Sequence, residues 1–193
     1  GENPQNDFYP VASRDLKIGG AYFGLPLEID TLLLFVNSDL FKAAGASTPK
    51  TWDDVRNIAP KLTVKDASDK IKTAGLALGT YDNITHASDI ISLMFAQNGV
   101  DLKNIKQYKI NTQDALVFYT SFAKGKGKVW DDSLDSSILA FSKGNLAMFF
   151  GFSWDVFTIQ ALAPNLNFQI LPVPQITQDK KVTLASYWVE GVS

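Results

Sequence analysis

An α/β domain with a largely parallel mixed sheet and helices on both faces is predicted by two observations on this 193-residue sequence. Short apolar runs at 32–36, 76–78, 146–150, 168–173 and 182–189 read as strands, and stretches of helical periodicity separate them. With 46% apolar and 20% charged residues, the chain has the material for a packed core and lacks the composition of a disordered one.

Residues 1–20 are polar, hold Pro4, Pro10 and Gly19-Gly20, and read as a short helix or loop before a turn. Leu25, Leu27 and Ile29 then lead into the 32–36 run, interrupted by Glu28 and Asp30. Asn37 and Ser38 begin a short helix over 39–44, which Gly45 closes. Thr51, with Asp54 three residues on, forms a capping box for a helix whose apolar face carries Trp52, Val55, Ile58, Ala59 and Leu62. Pro60 ends or kinks that helix. A helix over 89–97 stops at Asn98-Gly99, the next is capped by Asn111 or Thr112, and another over 133–143 stops at Gly144. After the 146–150 strand Gly151 turns the chain, Ser153 caps a helix over 154–162, and Pro164 ends it.

Several function classes are disfavoured. The formal net charge is −2 and the basic residues are scattered, so no stripe suits a phosphate backbone and no nucleic-acid partner is expected. The longest apolar run, 32–36, is far too short to cross a bilayer. Cysteine is absent, which removes disulfides, thiolate metal sites and thiol nucleophiles. Gly1 opens without methionine, basic stretch or apolar segment, so any export signal is expected to have been removed or to lie outside this sequence.

The most enzyme-like motif, Gly151-Phe152-Ser153-Trp154-Asp155, has Asp155 where a nucleophile elbow needs its second glycine. The sole histidine, His86, precedes the serine instead of following it. His86 has no second histidine to share a metal, and reads as a loop residue. Asn83-Ile84-Thr85 matches a glycosylation sequon of a kind common by chance. Asp53-Asp54 and Asp131-Asp132 fit helix starts better than a hydrolytic acid pair. No dinucleotide or phosphate loop is present; no enzyme activity, cofactor or metal is expected.

Two segments carry a family signal. One runs Tyr22-Phe23-Gly24-Leu25-Pro26-Leu27-Glu28-Ile29-Asp30, through Phe35-Val36-Asn37-Ser38-Asp39-Leu40-Phe41, to Pro49-Lys50-Thr51-Trp52-Asp53-Asp54. The other runs Phe141-Ser142-Lys143-Gly144-Asn145-Leu146-Ala147-Met148, through Gly151-Phe152-Ser153-Trp154, to Leu171-Pro172-Val173-Pro174. In order and spacing they resemble family 1 extracellular solute-binding proteins, the maltose-binding type of ABC-importer receptor. The resemblance implies a type II periplasmic-binding-protein-like lobe over 1–193, with a core at about 27–175. The flanks 1–26 and 176–193 would be crossovers to a lobe outside this sequence. It further implies a sugar or oligosaccharide ligand in an interlobe cleft and a membrane ABC permease as partner of the full-length parent. The location would be extracytoplasmic, periplasmic or lipid-anchored. A non-catalytic interaction domain derived from such a receptor is the competing reading.

A sugar requires carboxylates or amides for its hydroxyl edge and aromatic planes for its C–H faces. Trp154 follows a strand end beside Gly151, where a ring either projects into a cleft or packs inside. The resemblance places a sugar-stacking tryptophan at this turn. Phe152 is a second wall or a core residue, and Trp52 a core residue. Glu28 interrupts an apolar strand and must face solvent, partner or ligand; the resemblance implies a hydroxyl acceptor there. Asp30 is a further candidate or a solvent-face residue. Tyr81 and Asp82 lie in the loop that matches the family's aromatic-bearing region, without its motif. Exposed apolar surface near Trp188 and 25–29 is expected to favour self-association.

Overall fold

A computed structural model describes residues 8–191. Its contacts divide the chain into two compact units. The larger is Leu32–Leu184; the smaller joins the chain up to Thr31 with the segment from Ala185 onward. The sequence placed the core at 27–175. The divisions fall instead where β3 (Leu25–Thr31) pairs antiparallel with β9 (Ala185–Glu190), which draws residues 27–31 away from the larger unit. Residues 176–184 stay with that unit.

The smaller unit holds α1 (Pro10–Asp15), a two-stranded ribbon of β1 (Lys17–Ile18) and β2 (Ala21–Tyr22), and the β3–β9 ribbon. The β3–β9 register sets Glu28 opposite Trp188 and Asp30 opposite Ser186, with an irregularity between Pro26 and Glu28. Leu25, Leu27, Trp188 and Val189 of this ribbon are all exposed.

The larger unit is built around β4 (Leu33–Asn37), which lies between β7 (Met148–Gly151) and β8 (Phe168–Pro172). Leu34, Phe35 and Val36 are essentially inaccessible, as a strand buried on both faces requires. Its Phe35 ring packs against Phe149 (4.9 Å between centroids), Phe168 (6.0 Å) and, edge-on, Phe141 (6.4 Å). Such contacts add about 0.5–1.5 kcal/mol per pair beyond area burial.

The α/β architecture matches the sequence prediction, but its ladder directions differ. β4 runs antiparallel to both neighbours. Consequently β7 and β8, linked through α7 (Asp155–Leu162), run in the same direction without touching. Parallel pairing among the described residues is confined to bridges at Thr51–Gln175 and Ala74–Leu146. The predicted 76–78 strand does not form; the segment is fully buried beyond the second of these bridges, with Ala77 N–H donating to the Met148 carbonyl at 3.0 Å.

The helices start where local chemistry allows. Asn37 Oδ1 accepts from the N–H groups of Asp39 and Leu40 (3.0 and 3.1 Å) to cap α2 (Ser38–Ala43). Thr51 and Asp54 make the reciprocal capping box of α3 (Trp52–Ile58), and Pro60 tightens its end into a 3₁₀ turn over Ala59–Leu62. A short hairpin of β5 (Val64–Lys65) and β6 (Ile71–Thr73) follows. Next come α4 (Ala87–Gln97), α5 (Lys109–Ser121) and α6 (Ser137–Ser142). The chain leaves α4 through Asn98 and Gly99, whose φ of 80° suits glycine.

The starts of α5 and α6 differ from expectation. The α5 helix begins at Lys109, before Asn111 and Thr112; the Thr112 hydroxyl bonds back to the Tyr108 carbonyl at 3.0 Å. The α6 helix begins only at Ser137, because Asp131 closes a local turn by accepting from Ser133 N–H at 3.0 Å. Trp52 is a core residue, and its indole N–H donates to the buried Gln97 amide oxygen. The Gln97 amide nitrogen donates in turn to the Pro174 and Val182 carbonyls (2.9 and 3.1 Å).

The backbone N–H groups of Lys50 and Thr51, which the Asp54 carboxylate accepts, hold its pKa below the usual 3.8. A carboxylate with a lowered folded pKa adds stability above its unfolded value, and that stability fades as pH falls through the lowered one. Thr51→Ala should cost about 1 kcal/mol in urea unfolding at neutral pH. Asp54→Asn should cost a similar amount there, with its deficit shrinking as the pH is taken below 3.8.

Candidate functional site

The buried strand β7 ends at Gly151, whose partner across the ladder is Leu33. A side chain has no room there: a Cβ would press on Asp155 Oδ2 and on the rings of Phe149 and Phe35. The chain then turns through Phe152, Ser153 and Trp154 into α7. Phe152 is buried, and its N–H donates to Asp155 Oδ2 at 2.9 Å. The N-cap of the helix lies one residue beyond the predicted Ser153 cap. The cap position falls on Trp154, no side-chain cap bond forms, and Asp155 in the first turn supplies negative charge to the helix start while bonding back to the turn.

Trp154 is 37% exposed. Its indole stacks on the Phe152 ring, with centroids 4.5 Å apart and planes inclined by 16°. A buried ring therefore covers part of the tryptophan, and the remainder reaches solvent.

Asp155 Oδ2 has a second partner. His86 Nε2 lies 3.0 Å away, and the His86 ring meets Phe152 edge-on at 4.9 Å and Trp154 at 6.2 Å. His86 sits at the N-cap of α4 with φ of 63°, and its carbonyl accepts from Asp89 and Ile90 N–H (3.0 Å each). Its Nδ1 is 3.7 Å from Asp89 Oδ2. His86 is thus half-buried at a junction, more than the loop residue that the sequence suggested.

The loop before His86 is tied down from beneath. The Trp130 indole N–H donates to Thr80 Oγ1 and Asn83 Oδ1 (3.0 and 3.1 Å). Asn83 Nδ2 donates to the Asp131 and Leu134 carbonyls, so the sequon nitrogen is committed to the fold. The Tyr119 hydroxyl donates to the Thr80 carbonyl, and burial raises its pKa well above the usual tyrosine value. Tyr81 (59% exposed) and Asp82 remain at the surface of this loop.

The larger unit thus joins Phe152 and Trp154 directly, and the His86–Asp155 contact ties their turn to the loop that carries Tyr81 and Asp82. Glu28 and Asp30 belong to the smaller unit. Glu28 is exposed on β3, and Asp30 is half-buried, with Oδ1 accepting from Thr31 N–H at 2.7 Å. A cleft of about 250 Å³ lined by Trp52, Arg56, Met94 and Phe118 contains none of these candidates. Among the described residues no three His, Cys, Asp or Glu side chains converge on a metal position, and no helix is long and apolar enough to cross a membrane.

Sequence reasoning missed Asp155, weighed only as the residue that spoils a nucleophile motif, and the role of His86 beside it. An acidic residue four positions after a strand-ending glycine was the available signal; the histidine partner, 69 residues away, left none.

The family model of the bacterial extracellular solute-binding proteins matches residues 2–193. The chain belongs to this family. A maltodextrin-binding protein of Bacillus subtilis is 25% identical over 171 residues, covering 84% of this chain and 39% of that protein. A maltooligosaccharide ABC transporter solute-binding lipoprotein of Streptococcus pneumoniae is 26% identical over 122 residues, 61% of this chain and 27% of its own length. Among solved structures, a Listeria monocytogenes ABC substrate-binding protein in complex with cycloalternan superposes with a TM-score of 0.75 at 21% identity. That match covers 97% of this chain and 48% of the Listeria chain. The chain therefore spans less than half the length of these relatives, and it shares the type II periplasmic-binding-protein-like fold of the solved structures it superposes on.

Gly151→Ala would set a methyl group against Asp155 and two core rings. It should destabilise the protein by about 1–3 kcal/mol in urea unfolding and alter the near-UV circular dichroism of the Phe152–Trp154 stack.

Proposed function

We propose that this solute-binding lobe is the carbohydrate-capturing part of an extracytoplasmic ABC-importer receptor, acting without catalysis. One observation carries the reading: in a solute-binding family member, the exposed indole of Trp154 is stacked on the buried Phe152 ring at the end of a core strand. An indole so supported offers a rigid apolar plane to the C–H face of a sugar, and little conformational freedom remains to be lost on binding. Tyr81 is proposed as a second aromatic contact and Asp82 as a hydroxyl acceptor on the neighbouring loop. Glu28, exposed on β3, and Asp30 are proposed as acceptors on the smaller unit. The names of the Bacillus and Streptococcus relatives support a glucan-type oligosaccharide, and the lipoprotein relative supports a lipid-anchored parent at the outer face of the membrane.

In the full-length parent, binding would close a second lobe over the ligand, and the closed form would dock on a membrane permease. Titration with mono- and oligosaccharides, followed by tryptophan fluorescence, should give a saturable change that Trp154→Ala abolishes. Glu28→Gln should weaken the response without removing it. A protein indifferent to every sugar and to Trp154→Ala would instead fit a non-catalytic interaction domain derived from such a receptor.

The exposed apolar residues of the β3–β9 ribbon, Trp188 foremost, are proposed as an association surface, taken by a second copy of the chain when nothing else covers them. Sedimentation over a wide concentration range should show self-association that Trp188→Ser reduces. A monomer at all concentrations would remove this proposal.

A further inference from the structure

A residue distant in sequence, His86, meets the turn that carries the Phe152–Trp154 stack. Asp155 is 5% exposed, and Oδ2 already accepts from Phe152 N–H at 2.9 Å. A buried carboxylate is costly unless further donors meet it. The His86 ring supplies the remaining contact, Nε2 to Oδ2 at 3.0 Å, and comes from the start of a different helix. The same ring packs edge-on against both members of the stack.

The backbone at His86 fits this task. Its left-handed conformation, φ 63° and ψ 29°, is uncommon for a residue other than glycine, asparagine or aspartate. A non-glycine residue held in this region is over-determined by its surroundings, which is where functional constraints gather. The surroundings are specific. The His86 carbonyl starts α4, Asp89 Oδ2 stands 3.7 Å from Nδ1 on the α4 side, and Asp155 stands at Nε2 on the α7 side. The imidazole bridges the two helix starts and fills the edge of the Phe152–Trp154 pair.

We propose that His86 is a positioning residue for the ligand site, clamping the Gly151–Asp155 turn to the α4 start through Asp155 and thereby fixing the orientation of Trp154. For its consequence on ligand affinity this rests on the receptor reading above; for the orientation of Trp154 it does not. Loss of the clamp should free the indole to sample other rotamers while leaving the core intact, since Trp52 and Trp130 are held by bonds that do not involve His86.

The test uses the protein labelled with 5-fluorotryptophan and read by ¹⁹F NMR without ligand, with the residue 154 resonance assigned through Trp154→Phe. His86→Asn keeps a residue that tolerates the left-handed backbone but shortens the side chain away from Asp155. It should shift or broaden the residue 154 resonance alone. His86→Gln, long enough to donate to Asp155, should bring that resonance back toward its original position. In the sugar titration, His86→Asn should weaken binding about tenfold and His86→Gln less. An unchanged residue 154 resonance in His86→Asn would overturn the proposal. So would equal disturbance of the Trp52 and Trp130 resonances, which marks a general structural role. A wild-type protein that binds no sugar, with the residue 154 signal still dependent on His86, would defeat the receptor reading and leave the clamp standing.

Discussion

Strand β4 fixes the rest of the larger unit. With Leu34, Phe35 and Val36 buried on both faces, it cannot be an edge, and its position between β7 and β8 decides where both neighbours end. Gly151 is opposite Leu33, at the first residue of β4, so β7 leaves the sheet as β4 enters it. The aromatic rings that fill the core, Phe35 and Phe149, reach up to Gly151 and leave it no room for a side chain. The turn carrying Phe152 and Trp154 is therefore an extension of core packing. Its geometry is set by the same rings that stabilise the sheet.

Buried polar groups do the remaining positioning. Gln97 links the Trp52 indole on α3 to the carbonyls of Pro174 and Val182. Asn83 and Thr80, gathered by the Trp130 indole, hold the Tyr81 loop onto the segment before α6. Each network is internally satisfied, which lets polar atoms sit in an apolar interior without penalty and gives the chain only one good register there. Asp155 belongs to this class of group. It differs in that its partners, Phe152 and His86, lie at the surface end of the core where a ligand could reach the adjoining ring.

Much of this was legible in the sequence, and the boundary of legibility has a physical cause. The capping box of Thr51 and Asp54, the Asn37 start of α2 and the Asn98-Gly99 stop of α4 were readable because each is made by residues within four positions of one another. The core role of Trp52 followed from helical spacing. The direction of the β4 ladders was not readable, since a fully buried strand shows the same apolar run whichever way its neighbours point. The N-cap of α7 falls one residue after the expected Ser153 cap, and α6 begins only after a turn that the Asp131 carboxylate closes on Ser133 N–H. His86 was the furthest from reach, because its partner lies 69 residues away.

The distribution of charge at the site also constrains how a ligand could be held. Asp155, although beside the exposed indole, is nearly inaccessible and accepts the Phe152 N–H while facing His86, so it is spent on orientation. In the proposed receptor, hydroxyl recognition on the larger unit is assigned to exposed groups such as Asp82, whose loop is anchored through Thr80 and Asn83 but whose own side chain is at the surface. This separation suits a receptor. A group buried to fix an aromatic plane keeps its geometry whether or not ligand is present, whereas a group at the surface can exchange water for a hydroxyl at little cost. If one carboxylate served both purposes, each binding event would have to break the bonds that hold the stacking plane in place.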